Sequence, residues 1–230
     1  MCSSYTTKSK TNKEEYQKAY GLPWDPEDAN NTDAYTDDTG QNSIGFPGIK
    51  MPVITIEKPN VIQDYEFGFV PHWMNSEKVS GIRNTFNARI ETITKLATWR
   101  DAWQNTQRCL VCTNGFYEHD KKRKMRVFIH LKEEENFYYG GIYNNWINKQ
   151  TGEIHKTMAV ITTYPNELVA KVHHRQPVII QKGHEGTWMD PLADTSHLLI
   201  QYSHPLSAAF MELDDVIDKP KKNSGQTELF

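Results

Sequence analysis

The side chains best equipped for chemistry begin with the second residue. Cys2 follows Met1. An initiator methionine is removed when the next residue is small, so the mature chain is expected to begin with cysteine. A free α-amine and a thiol then share one residue. Such an amine ordinarily titrates at ~7.7–8.0, so a useful fraction is uncharged near neutral pH. Neighbouring positive charge draws a thiol below its usual ~8.5. This pair of groups attacks an aldehyde through nitrogen and closes through sulfur to a thiazolidine. It can also serve as an N-terminal nucleophile in amide hydrolysis. The bland alternative is an incidental cysteine at a mobile terminus.

Other stretches add polar groups near element boundaries. Asn87-Ala88-Arg89-Ile90-Glu91-Thr92 precedes a segment of helical period, so Asn87 and Glu91 can be caps or site residues. Gly115-Phe116-Tyr117-Glu118 reads as a glycine-initiated turn that projects a carboxylate. The carboxylate suits proton transfer, or it is a solvated turn residue. Val172-His173-His174-Arg175-Gln176-Pro177 links a short helix to an apolar strand. Histidine is the side chain that titrates nearest neutrality; the alternative is a satisfied surface residue. Cys109 and Cys112 form a lone C-x-x-C inside a strand-like run. A zinc site needs four ligands and no second pair follows, so they read as buried strand thiols, with no metal or cofactor expected. Taken singly, each bland reading is the stronger.

The elements that must position these groups are mostly strands. A helix is expected after Asn12, ended by Gly21, and then an acidic surface loop from Leu22 to Gly40. Extended runs are expected at Met51–Ile56, Ile62–Val70, Arg108–Thr113, Met125–Leu131, Phe137–Tyr143, Met158–Tyr164, Val178–Ile180 and His197–Tyr202. Helices are expected over Thr92–Gln104, with Leu96, Trp99 and Trp103 on one side, and over Asn166–Lys171 and Pro205–Leu213. Strands are not regularly alternated with long helices. The fold class is therefore α+β: one domain over residues 1–217 with a few short helices, followed by a flexible polar tail over 218–230.

Composition narrows the function. The chain has 230 residues and a formal net charge of −3, with a mean hydropathy of −0.70. A globally basic nucleic-acid coat is excluded, whereas a local basic groove is not. The run Lys121-Lys122-Arg123-Lys124 with Arg126 is the strongest basic cluster, either a groove wall or a solvated hairpin loop. No apolar run reaches the ~18 residues of a membrane helix. Three cysteines suit a reducing compartment, so the expected location is cytoplasmic.

In combination and in order, the blocks resemble one family. Met1-Cys2, then N-A-R-x-E-T from Asn87, then R-C-L-x-x-x-x-G-F-Y-E from Arg108, then I-T-T-x-x-N-E-L-V-A-x-x-H-x-R-x-P-V-I from Ile161 look like the SOS-response-associated peptidase family, also called the abasic-site processing family. Phe67-Gly68-Phe69-Val70-Pro71-His72-Trp73 is similar to a further block, and the likeness spans about residues 1–205. The resemblance implies a mostly antiparallel, barrel-like sheet. It implies a sensor of abasic sites that binds single-stranded DNA and links covalently to the lesion through Cys2. By the same resemblance Asn87, Glu118 and His173 are active-site residues, and Arg89 contacts the DNA backbone. Phe67, Trp73, Pro47 and Arg175 join the DNA-binding set, although core packing is an even alternative for the aromatics. The departures are Ser3-Ser4 where Gly-Arg is usual, His119 after the glutamate, Phe67 for tryptophan and Gln176 for methionine.

Two other function classes remain open at this stage. One is a cysteine peptidase that processes N-termini with the same Cys2, Glu118 and His173. The other is a non-catalytic single-strand-binding module. A monomer is expected. The terminal Gln226-Thr227-Glu228-Leu229-Phe230 resembles the Q-x-x-L-F peptide that docks bacterial proteins on the DNA sliding clamp, with Gln226, Leu229 and Phe230 as its anchors.

Overall fold

A computed structural model describes residues 13–29, 48–75 and 85–216, with the backbone of Tyr5–Thr6 and Ile44–Gly45. Cys2, Pro47 and the tail from residue 217 lie outside the described residues. The centre is a ring of strands: β3 (Lys50–Thr55), β4 (Gln63–Phe67), β6 (Arg108–Thr113), β9 (Phe137–Ile147) and β10 (Ile154–Thr163). Antiparallel pairs run β4–β3–β6–β9–β10, and a parallel pair between β10 and β4 closes the barrel. A second sheet has the order β13 (Met211–Val216), β8 (Met125–Leu131), β7 (Gly115–Asp120), β1 (Tyr5–Thr6) and β2 (Ile44–Gly45).

Strand period two feeds two cores. Val53, Cys109, Val111, Tyr139, Tyr143, Met158 and Val160 share a core with Phe116, Val127 and Ile129 of the second sheet. Their alternates Ile54, Leu110, Cys112, Ile142, Ala159 and Ile161 pack against helices. Those helices are α1 (Lys13–Tyr20), α3 (Ala97–Gln104), α4 (Glu185–Met189) and α5 (Thr195–Ser203), which contribute Tyr16, Trp99, Trp103, Trp188, Leu198 and Tyr202. Burying each such large side chain stabilises the fold by roughly 2–3 kcal/mol. Cys109 and Cys112 lie on opposite faces of β6, one in each core. A Cβ on Gly141 would lie 2.8 Å from Cys109 Sγ and 2.9 Å from Val111 Cγ2, so close strand packing requires glycine there. Arg108 opens β6 fully buried; its Nε donates to Trp188 O (2.9 Å) and its Nη2 to Asp190 O (2.7 Å), satisfying the carboxyl end of α4.

The α+β class and the barrel-like sheet agree with the sequence reading, but several segments differ. His197–Tyr202 is helical, not extended. Asp194 caps α5 by accepting from Ser196 N (2.8 Å), and Leu198 and Tyr202, four apart, face the core. Within Pro205–Leu213 only a 3-10 turn forms at Ala208–Phe210, and Met211 opens β13, which pairs with β8 from Met211↔Leu131 to Val216↔Arg126. In the Thr92–Gln104 segment the helix starts only at Ala97; Leu96 is extended at its N-cap and half exposed. The acidic loop after α1 contains a short helix, α2 (Pro26–Ala29). Gly115 begins a strand rather than a turn. Phe67 is 0 % exposed and packs edge-on against Phe86, so it is a core residue and not a stacking surface for DNA.

Candidate functional site

One open cleft of ≈ 1320 Å³ gathers residues from elements far apart in sequence. Its floor comes from β7. A Cβ on Gly115 would lie 2.6 Å from Ile129 O, and φ is +156°, so only glycine lets β7 start this close to β8. Period two then puts Glu118 on the face of the fully buried Phe116, between the layers, which is why a carboxylate is buried. Among the described residues, Glu118 Oε1 has no hydrogen-bond partner. The cost of such an atom, roughly 1–3 kcal/mol, is recovered when a substrate or a further group of the chain bonds to it.

His173 reaches the same place from the loop after β10. Asn166 shapes that loop: its Oδ1 accepts from Leu168 N (3.1 Å) and Val169 N (3.0 Å), and its Nδ2 donates to Leu206 O (2.8 Å). His173 N then donates to Val169 O (2.8 Å). The imidazole Nδ1 lies 2.9 Å from Arg175 O, 3.2 Å from Arg175 N and 3.6 Å from Glu118 Oε1. A backbone acceptor and a backbone donor thus both face Nδ1. Each protonation state finds a partner, so the ring can gain or lose a proton without turning.

The third wall is β5 (Asn87–Arg89), which lies parallel to β10 with Thr162 opposite Arg89. Ala88 faces the core, so Asn87 and Arg89 share the opposite face. Arg89 is exposed in the cleft. Asn87 is half-buried, and the lining among the described residues includes neither Asn87 nor Trp73. Trp73 is 50 % exposed, with its indole N–H donating to Ala97 O (3.2 Å). The 3-10 turn Ile90–Thr92 follows β5, and there Glu91 meets Arg175.

Arg175 sits differently from a phosphate contact. It is 5 % exposed and its guanidinium is committed inside the protein. Nη1 bonds Glu91 Oε1, while Nη2 donates to Glu91 Oε2 (2.9 Å), Thr162 O (2.7 Å) and Thr162 Oγ1 (3.3 Å). Burial alone would raise the Glu91 carboxyl. Hydrogen bonds from Arg175 and the backbone, with the charges of Arg175 and Arg89, bring it below its ordinary value. This buried clamp, 84 residues apart in sequence, locks the third wall to the His173 loop.

The cleft is cationic although the chain is not. Lys121, Lys122, Arg126 and Lys171 join Arg89 at its walls. The acids are largely neutralised: Glu91 by Arg175, and Asp120 by Arg123 at 2.6 Å. His174 is pushed below its usual titration by burial first and then by His173, Arg89 and Arg175. The basic run forms the β7–β8 hairpin tip, as the hairpin reading expects, and two of its lysines, Lys121 and Lys122, also line the cleft. Arg123 instead folds back, pairing with Asp120 and with Asp215 (2.5 Å) of β13. β1 lays the start of the chain along β7, Tyr5 opposite Phe116 and Thr6 opposite Gly115.

The model of the SOS response associated peptidase family matches residues 1–220. The chain is similar to the abasic site processing protein YoaM of Bacillus subtilis, 31 % identical over 182 residues, covering 76 % of this chain and 78 % of the relative. It is also similar to the abasic site processing protein HMCES of Gallus gallus, 28 % identical over 153 residues, covering 56 % of this chain and 45 % of that one. A crystal structure of a Bacteroides thetaiotaomicron protein superposes with a TM-score of 0.81 at 25 % identity, over 94 % of this chain and 93 % of that one. A Bordetella bronchiseptica protein shares the fold with a TM-score of 0.75 at 20 % identity, over 94 % of this chain and 100 % of that one.

Proposed function

The chain belongs to the SOS response associated peptidase family, and from that membership we propose that it is an abasic-site processing protein. It binds single-stranded DNA in the cationic cleft and captures the lesion covalently through Cys2. The observation that carries this reading is the Glu118–His173 pair, 3.6 Å apart at the floor of the cleft. β1 lies along the strand that carries Glu118: Tyr5 is paired to Phe116. Three residues span at most roughly 11 Å, and Glu118 lies two residues, about 7 Å, along β7 from Phe116. The tether therefore permits Cys2 to meet the acid–base pair.

An abasic deoxyribose opens to an aldehyde. His173 delivers a proton to the ring oxygen as the ring opens, and Glu118 moves protons as the Cys2 amine adds to the aldehyde carbon. Water leaves to give the imine, and the Cys2 thiol adds to the same carbon. Aldehyde plus aminothiol thus gives thiazolidine plus water. Asn87, with only hydrogen bonds to offer, orients the sugar or the amine. Through Gln226, Leu229 and Phe230 the protein docks on a sliding clamp, which concentrates it where single strands arise.

The test is incubation with single-stranded DNA carrying one abasic site, read on a denaturing gel. A heat-stable shifted band with abasic DNA and none with intact DNA is expected; no band with abasic DNA overturns the reading. Arg89 gives a separate, quantitative check. Each phosphate neutralised on a single strand contributes a slope of ~−0.7 in log K against log salt. Arg89→Ala is expected to weaken binding across sequences and to flatten that slope by about one contact in anisotropy titrations. An unchanged slope removes Arg89 from the DNA interface.

A further inference from the structure

Tyr164 is an aromatic residue on the wall of the cleft that the chemistry above does not use. It lies just past the end of β10 and is 59 % exposed among the cleft-lining residues. Pro165 follows it, and a residue before proline is held to extended backbone, which narrows where the ring can go. The Arg175 guanidinium lies over the ring, 5.2 Å from its centroid. That guanidinium is itself fixed by Glu91 and by Thr162, two residues before the tyrosine. The ring is thus backed by a hydrogen-bonded cation and lines the cleft.

Such a ring offers a flat apolar face on which a second flat group can stack. Single-strand sites combine a charged track with aromatic faces on which bases stack. Here the track is Arg89, Lys121, Lys122 and Arg126, and Tyr164 supplies an aromatic face in the same cleft. We propose that Tyr164 is the stacking platform for an unpaired base flanking the abasic nucleotide, completing an Arg175–Tyr164–base stack. This rests on the reading of the cleft as a single-strand site. It also gives the buried Arg175 a part in DNA recognition without a phosphate contact. The preference is for any unpaired base rather than one sequence, because every base offers a flat face.

The test uses the full-length chain with intact and abasic single strands, the flanking base replaced by a fluorescent purine analogue that stacking quenches. Tyr164→Ala is expected to lose about 5- to 100-fold in affinity for intact single strands of any sequence and to abolish the quench, whereas Tyr164→Phe keeps both. Covalent capture at sub-saturating abasic DNA is expected to fall in Tyr164→Ala in step with the lost affinity and to stay at the wild-type level in Tyr164→Phe. Wild-type affinity and quench in Tyr164→Ala overturn the platform. So does an equal loss in Tyr164→Phe, which would assign the effect to the hydroxyl. If wild type binds intact strands in a Tyr164-dependent way yet never captures abasic DNA, the platform stands and the covalent reading falls.

Discussion

Cys2→Ala is expected to abolish the heat-stable conjugate with abasic single-stranded DNA while leaving reversible binding of intact single strands at wild-type affinity. The reason lies in what the substitution removes. Alanine keeps the α-amine, so an imine can still form, but no sulfur is present to close the ring. An open imine hydrolyses on heating, whereas a thiazolidine shares the former aldehyde carbon between nitrogen and sulfur. Borohydride should therefore recover a band in the variant by reducing the imine, and without it none should survive boiling. An uncleaved tag ahead of Cys2 should remove both bands, because it occupies the amine. The remaining thiols cannot substitute. Cys109 and Cys112 are both 0 % exposed, one in each core, and burial pushes the Cys109 thiol well up, so neither meets DNA as a thiolate. A boiling-resistant conjugate of Cys2→Ala without reductant would overturn the thiazolidine.

How far the fold could be read in advance depended on whether the signal was local. β6 and Met125–Leu131 of β8 appear at their expected bounds, because their apolar character lies within the segment itself. The expected strand at His197–Tyr202 gives way to α5 because its apolar run, Leu198-Leu199-Ile200, is too short to tell strand from helix; the deciding cue is Asp194, a cap three residues upstream. The closure of the barrel by the parallel β10–β4 pair joins segments about 90 residues apart and leaves no periodic trace. The site divides in the same way. Glu118 and His173 could be picked by residue type within family blocks, but their 3.6 Å approach could not. Arg175 is placed in the DNA-binding set alongside the residues the family resemblance supplies. Its partner Glu91 is 84 residues away, and only the fold reveals that the guanidinium is already taken. Phe67 failed for a related reason: strand period alone does not say which face of β4 is covered, and the structure covers it with Phe86.

The largest kinetic effects short of removing the nucleophile should come from Glu118→Gln and His173→Ala. General acid–base groups are typically worth ~10²–10⁴ in rate, and this pair has the geometry for proton transfer rather than for gripping DNA. Glu118 is buried with a side chain only 8 % exposed, and His173 only 10 %, so neither offers a broad surface to the strand. Glu118→Gln keeps the shape of the side chain but can no longer carry a proton between amine, aldehyde oxygen and water. It should slow conjugate formation in single-turnover time courses on pre-formed abasic DNA, with affinity for intact strands little changed. His173→Ala should slow ring opening. Because each step shares its transition state with its reverse, it should also slow release of DNA from the conjugate. That paired slowing separates a catalytic role from a merely structural one, since damage to the fold would weaken binding and hasten release. The loop that carries His173 is held independently by Asn166 and by the Arg175–Glu91 clamp, so the substitution should leave the cleft assembled, as a thermal melt can verify. Wild-type forward and reverse rates in both variants would remove Glu118 and His173 from the reaction and leave them as packing residues beneath the DNA.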